Sequence, residues 1–154
     1  MSKKVLDLPL RFASLAPRHL FDIFWIESQS FDDPWSMQSF QDLLAQNHYG
    51  GLGAFLNQVL VGYCFYYWVS DEVNIVNIAV SPIQRQKGIA CALIKALQQW
   101  MTDNQCNKIF LEVSVNNANA IKLYTKMGFS KQMRRSNYYQ SGEDAWLMDK
   151  ALNI

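Results

Sequence analysis

Apolar positions along the chain recur with two periods, and the switches between them mark its elements. From Pro17 to Ser30 they return at helical spacing through Leu20, Ile23 and Phe24, with Glu27 next on the same stripe. Asp32-Asp33-Pro34 reads as a turn, and Ser36 as the N-cap of a helix through Phe40, Leu43 and Leu44. Gly51–Leu56 and Leu60–Val69 are rich in aromatic and branched residues and flank Asn57-Gln58, which predicts a hairpin. Gly51-Leu52-Gly53 is a strand start and not a phosphate loop, because no helix follows it. Val73–Val80 is a third long strand, and the helix from Gly88 should bury Leu93, Ile94, Leu97 and Met101. Ile109–Val115 reads as a strand, and Asn117–Phe129 as a short helix ending at Gly128, where a helix C-terminus favours positive φ. Arg11–Leu15 is a first strand or the approach to one. With 154 residues, 50% of them apolar, and no repeat or linker, the chain is expected to be one domain spanning 1–154. The expected class is an α/β layer fold around a mixed sheet.

Total charge is +1, but its distribution is uneven. Between His19 and Gln84 there are seven acidic residues (Asp22, Glu27, Asp32, Asp33, Asp42, Asp71, Glu72) and no Lys or Arg. The remainder, with 14 basic and 6 acidic residues, is +8. A basic second half suits an anionic coenzyme, and an acidic first half suits a cationic acceptor. Solvated helix faces would account for Asp22 and Glu27 as well. A nucleic-acid binder needs clustered Lys and Arg with a basic balance, so that class ranks low. Cys64, Cys91 and Cys106 are widely spaced and outside any C-x-x-C pattern, which suits a reducing cytosol better than a disulfide or zinc framework. His19 and His48 are isolated, and no metal is expected. Lys3-Lys4 is followed by a stretch broken by Asp7 and Pro9, so no signal peptide is expected, and Val59–Val69 is too short to span a bilayer. A cytoplasmic protein without a membrane partner is the expectation.

The chemistry concentrates where the strand Ile75–Val80 runs into Arg85-Gln86-Lys87-Gly88-Ile89-Ala90 and then into a helix. N–H groups at a helix start lack internal partners, and the helix dipole adds partial positive charge, so such a turn holds a phosphate or pyrophosphate. Gly88 permits close backbone approach, Ala90 stays small, and Arg85 and Lys87 add charge. The turn is neither G-x-G-x-x-G nor a P-loop. Arg-x-x-Gly-x-Ala resembles the acetyl-coenzyme A signature of the GNAT N-acetyltransferases. Downstream, the order Glu112-Val113, Asn117, Ala120, Tyr124, Gly128-Phe129 matches the second half of the GNAT core. Pro34-Trp35-Ser36, Asn77-Ile78-Ala79-Val80 and the run Arg134–Ala145 extend the likeness over nearly the whole chain, within the RimI-type, ribosomal-protein-alanine branch.

That resemblance implies a mostly antiparallel central sheet flanked by helices, with acetyl-CoA as cosubstrate. It implies that the backbone of Ile78, Ala79 and Val80 pairs with the pantetheine arm, and that the N–H groups of Arg85, Gln86, Lys87, Gly88, Ile89, Ala90 and Cys91 hold the pyrophosphate. The amide of Asn117 would reach the coenzyme, while Asn116 and Asn119 are weaker candidates that would only cap the helix. Glu112 is the acidic residue inside an apolar strand; alone it would be read as solvent-facing, but partial shielding suits a carboxylate to act as a base. The resemblance makes Glu112 the general base, directly or through water, and Tyr124 the general acid that protonates the departing thiolate. With no Ser–His or Cys–His pair evident, direct attack by the amine is preferred to an acyl-enzyme. The acceptor, the basic N-terminus of a small-subunit ribosomal protein beginning with alanine, would lie against Phe31–Ser36 and the Tyr138–Asp144 loop. Asp32, Asp33, Asp71, Glu72, Glu143 or Asp144 would attract its positive residues, and Tyr138 and Tyr139 would flank it unless one of them serves instead as buried packing. Gln140 stands where related enzymes often carry Pro, and the loop to Glu143-Asp144 looks shorter, which bears on acceptor preference. Other N-termini, a lysine side chain or a small cationic amine are the alternative acceptors. A non-catalytic coenzyme-binding module would keep the turn but has no need of both Glu112 and Tyr124.

Overall fold

The computed structural model describes residues 9–153; the Lys3–Asp7 stretch considered above for an export signal lies outside the described residues. The elements run β1 (Leu10–Ser14), α1 (Leu20–Ser30), α2 (Met37–Ala45), β2 (Tyr49–Leu56), β3 (Val59–Val69), β4 (Glu72–Val80), α3 (Ile89–Asp103), β5 (Lys108–Ser114), α4 (Ala118–Lys126), β6 (Ser130–Arg135) and β7 (Ala145–Ala151). The strands form one sheet ordered β1-β2-β3-β4-β5-β7-β6. The pairing of β4 with β5 is parallel, while β1–β2, β5–β7 and β6–β7 are antiparallel. This is the mixed, mostly antiparallel sheet expected from the sequence. No helix of the described residues is long and apolar enough to cross a membrane.

Two compact units are distinguishable. The first reaches to Phe65 and takes in Asn77–Leu93; the second comprises Tyr66–Val76 and the chain from Ile94. In the first, Asn57 and Gln58 both adopt positive φ (47° and 68°), the twist that a two-residue hairpin between β2 and β3 requires. From Leu60 to Phe65 every residue of β3 is buried, as in a strand covered on both faces. Phe40, Tyr63 and Phe65 form an aromatic cluster with centroids 5.1–5.8 Å apart. A Cβ at Gly53 would lie 2.7 Å from side-chain atoms of Leu15 and Phe55, so that strand position is small because β2 is tightly covered. Ser36 accepts from the Ser39 N–H at 3.1 Å and caps α2.

In the second unit, Ile94, Leu97 and Met101 on α3 and Ile109 and Met148 on the sheet have no exposed surface. Each such side chain contributes roughly 1.5–3 kcal/mol by leaving water. β5 alternates buried and half-buried residues, placing Ile109, Leu111 and Val113 inward and Phe110 and Glu112 on the other face. Gly128, at φ 97°, ends α4, and its successor's N–H (Phe129) donates to the Tyr124 carbonyl at 3.0 Å.

One reading of the sequence is corrected here. Glu27 does not belong to a solvated face: it is 1% exposed and shares the inner stripe of α1 with Ile23 and Ile26, whereas Asp22 is exposed. Leu20 and Phe24, read as part of that stripe, are only half-buried.

Candidate active site

Residues at the end of β4 and the start of α3 build a candidate phosphate site within the first unit. Gln86 and Gly88 both have positive φ (62° and 78°), so the chain between them coils into a concavity that presents successive N–H groups. The first bond within α3 runs from the Ala92 N–H to the Gly88 carbonyl at 3.0 Å, which leaves the N–H groups of Ile89, Ala90 and Cys91 at the helix start without helical acceptors. A Cβ placed on Gly88 would meet nothing within 4 Å, so the space before this turn is open to a ligand. Gln86, Lys87 and Gly88 are exposed, Ala90 and Cys91 half-buried and Ile89 buried.

Arg85 has a more structural task than its charge suggests. Its Nε donates to the Val80 carbonyl at 3.1 Å and its Nη2 to the Ser30 Oγ at 2.9 Å, tying the end of β4 to the end of α1. The Lys87 ammonium donates to Gln84 Oε1 at 3.0 Å. Ser81 N–H donates to the Val61 carbonyl at 2.8 Å and anchors the chain leaving β4. The ladder between β4 and β5 comprises Glu72↔Lys108, Val73↔Ile109 and Asn74↔Phe110, and Ile78, Ala79 and Val80 lie beyond its end.

Beneath this lies Glu27. Its Oε1 accepts from the Trp35 N–H at 3.1 Å, and its Oε2 accepts from Asn77 Nδ2 at 2.9 Å and from the Tyr63 hydroxyl. Burial, with this carboxylate alongside, pushes the Tyr63 phenol far above its ordinary range, so it stays a donor. The Phe31–Ser36 segment contains the exposed residues Phe31, Asp32, Asp33 and Pro34, with Trp35 half-buried against the Phe40 ring at 5.6 Å.

Glu112, Asn117 and Tyr124 fall in the second unit. The Glu112 side chain is 23% exposed, and its Oε1 lies 3.7 Å from Arg135 Nε across the intervening strand β7. Burial first and the Glu112 carboxylate next push the Tyr138 phenol up. Tyr139 packs edge-on to Tyr138 at 4.9 Å, and its phenol is pushed up to about 12 by burial, Tyr138 and the Glu112 and Glu143 carboxylates. The loop between them and β7 is compact without a proline at Gln140. Tyr138 and Tyr139 N–H groups both donate to the Glu143 carbonyl, at 3.0 and 3.1 Å, and Gly142 turns back to the Tyr139 carbonyl.

Several acidic residues assigned to the acceptor are already engaged. Asp144 accepts from the Asn137 N–H at 2.9 Å and Arg134 Nε at 2.8 Å, and these bonds hold its carboxyl below the usual range. Glu143 accepts from the Ser114 hydroxyl at 2.7 Å, and Asp71 from Asn107 Nδ2 at 2.9 Å. Asn117 caps α4, its Oδ1 accepting from the Ala120 N–H at 3.2 Å, so capping falls to Asn117 and not to Asn116 or Asn119. Tyr124 lies on α4, 8% exposed, with its ring 5.8 Å from Phe129. The Cys64 thiol is buried and pushed up to about 12, and Cys106 is also pushed up by burial, which makes both poor nucleophiles. Sequence reasoning missed Glu27, Asn77 as its partner, and Arg135.

Known proteins share this arrangement of elements. Residues 20–129 match the model of the Acetyltransferase (GNAT) family. The chain is 34% identical over 133 residues to a Bacillus subtilis (strain 168) protein provisionally named as a [ribosomal protein bS18]-alanine N-acetyltransferase, covering 85% of this chain and 88% of that one. The crystal structure of the ribosomal-protein-S18-alanine N-acetyltransferase from Escherichia coli superposes with a TM-score of 0.88 at 29% identity, over 95% of this chain and 96% of that chain. The fold also matches that of Arabidopsis thaliana NAA60 in complex with acetyl-CoA, with a TM-score of 0.82 at 20% identity, over 95% of this chain and 100% of that chain.

Proposed function

The chain belongs to the GNAT acetyltransferase family, and from that premise we propose that it transfers the acetyl group of acetyl-CoA to the N-terminal alanine α-amine of a small-subunit ribosomal protein. The observation that carries the coenzyme half is the Gln86–Gly88 turn, where a Cβ added to Gly88 would meet nothing within 4 Å, followed by the start of α3. Its N–H groups fit a pyrophosphate. Ile78–Val80 supply backbone for the pantetheine arm, and the Asn117 amide nitrogen is left for the coenzyme while its oxygen caps α4. The family likeness to alanine N-acetyltransferases supports the acceptor half.

Glu112 takes the proton from the α-ammonium, directly or through water, so that the neutral amine attacks the thioester carbonyl. Tyr124 gives its phenolic proton to the sulfur as the carbon–sulfur bond breaks, and the second proton of the attacking nitrogen passes to the Tyr124 phenolate. Glu112 releases its proton to solvent, so that amide, thiol and one proton are the products. Arg135, with its Nε 3.7 Å from Glu112 Oε1, orients the carboxylate. Tyr124→Phe removes only the hydroxyl from a buried ring, so packing is kept. Turnover should fall roughly 10²–10⁴-fold with coenzyme affinity unchanged, as read by steady-state kinetics and calorimetry. A near-normal rate would leave Tyr124 a packing residue.

Asp32 and Asp33 remain exposed on the loop before α2 and are the acidic pair assigned to the acceptor's basic residues. Such attraction is screened over about 8–10 Å at ordinary ionic strength. KM for an Ala-Arg peptide should therefore rise with salt, while kcat changes less. Replacing both residues by Asn should raise that KM more than the KM for a neutral peptide. Equal acetylation of a peptide with acidic residues after its alanine would contradict the electrostatic part.

A further inference from the structure

Among the described residues Glu27 is the buried charged side chain of the core, and nothing in the proton transfers above uses it. It collects three donors from three places: the backbone N–H of Trp35 in the loop before α2, the Tyr63 hydroxyl on β3 and the Asn77 amide on β4. A carboxylate taken out of water is costly unless its lone pairs are filled, and here neutral donors fill them. The three donors differ in how much they need it. Tyr63 and Asn77 sit on strands of the sheet, and β4 is also anchored where Ser81 N–H meets the Val61 carbonyl. Trp35 sits in a loop between two helices, where the bond to Glu27 ties the backbone to the core. Beyond it, Ser36 begins α2.

We propose that Glu27 is a positioning residue for the acceptor: it fixes the Phe31–Ser36 loop to β4 at Asn77, the residue directly before the Ile78–Val80 backbone assigned to acetyl-CoA. This rests on the acetyltransferase reading given above. The loop and the coenzyme strand are thereby held in one register by a single side chain, and its work is done by hydrogen bonds and not by charge. A glutamine can do the same. Its oxygen can accept from the Trp35 N–H, its amide can donate to the Tyr63 oxygen, and the Asn77 amide can rotate to offer its oxygen. An aspartate keeps the charge but is one methylene too short to reach all three donors.

Peptide and acetyl-CoA kinetics of Glu27→Gln, Glu27→Asp and Glu27→Ala, each with its Tm and its calorimetric acetyl-CoA affinity, separate the possibilities. Glu27→Gln should retain wild-type KM for an Ala-Arg peptide. Glu27→Asp and Glu27→Ala should raise that KM on the order of tenfold or more, because a small misplacement of a positioning element is expensive. Acetyl-CoA affinity should stay within about threefold of wild type in any variant that folds, with Asp serving if Ala does not fold. An equal loss for both substrates would make Glu27 a merely structural residue and overturn the proposal. Impairment of Glu27→Gln matching that of Glu27→Asp would overturn it too, by showing that charge matters. A wild-type protein that acetylates no amine would instead overturn the acetyltransferase reading, before any variant is compared.

Discussion

Glu112→Gln is expected to lower kcat by roughly 10²–10⁴-fold while acetyl-CoA still binds normally, the range that a positioned general base contributes. The substitution is nearly isosteric, and the side chain is only 23% exposed on a strand whose inward neighbours Leu111 and Val113 are buried, so the fold should survive it. The amide that replaces the carboxylate cannot accept the ammonium proton. The acidic limb of kcat/KM should no longer follow the carboxylate, and the residual rate should instead track the neutral fraction of the amine and rise with pH. Retention of a near-normal rate, with the acidic limb intact, would return Glu112 to the role of an ion-pair partner for Arg135.

Gly88→Val carries the second large effect, a severe loss of acetyl-CoA affinity in a protein that remains folded. Two causes act together. At φ 78° a β-branched residue is strained by roughly 1–2 kcal/mol, and its methyl groups occupy the open space where a phosphate would approach. Gly88→Asn separates them, since asparagine tolerates left-handed backbone but still fills that space. Both variants should bind acetyl-CoA at least about tenfold more weakly by calorimetry if one phosphate contact of about 1.5–3 kcal/mol is lost. Unchanged affinity in both would place the pyrophosphate elsewhere, and loss in the valine variant alone would assign the effect to backbone strain.

The parts of the fold legible in the sequence were those with a strong period or a specific turn residue. Leu93, Ile94, Leu97 and Met101 announced α3, Asn57-Gln58 the hairpin, and Gly128 the end of α4. β6 was not legible: all six of its residues, from Ser130 to Arg135, are exposed at the sheet edge, so no alternation marks it. Its cations are spread over neighbours that sequence spacing cannot reveal, with Lys131 Nζ 4.7 Å and the Arg134 guanidinium 5.7 Å from the Trp146 ring. Glu27 was misjudged because a carboxylate is ordinarily solvated. The one available signal was its position four residues after Ile23, on the inner stripe, and its donors lie 8, 36 and 50 residues away. The Gly88 turn was visible, but the positive φ of Gln86, which completes its concavity, has no counterpart in residue type. Arg85 was read as a charge for the phosphate because spacing alone could not show its bonds to Val80 and Ser30.

Mass spectrometry of the products formed from acetyl-CoA and two peptides tests the central claim most directly. One peptide begins Ala-Arg and carries an internal lysine; the other is identical but blocked at its N-terminus. The expected result is one acetyl group on the α-amine of the first peptide, one equivalent of thiol released per acetyl transferred, and no product from the second. Acetylation of the lysine in both peptides at equal rates, or no transfer to either, would contradict it.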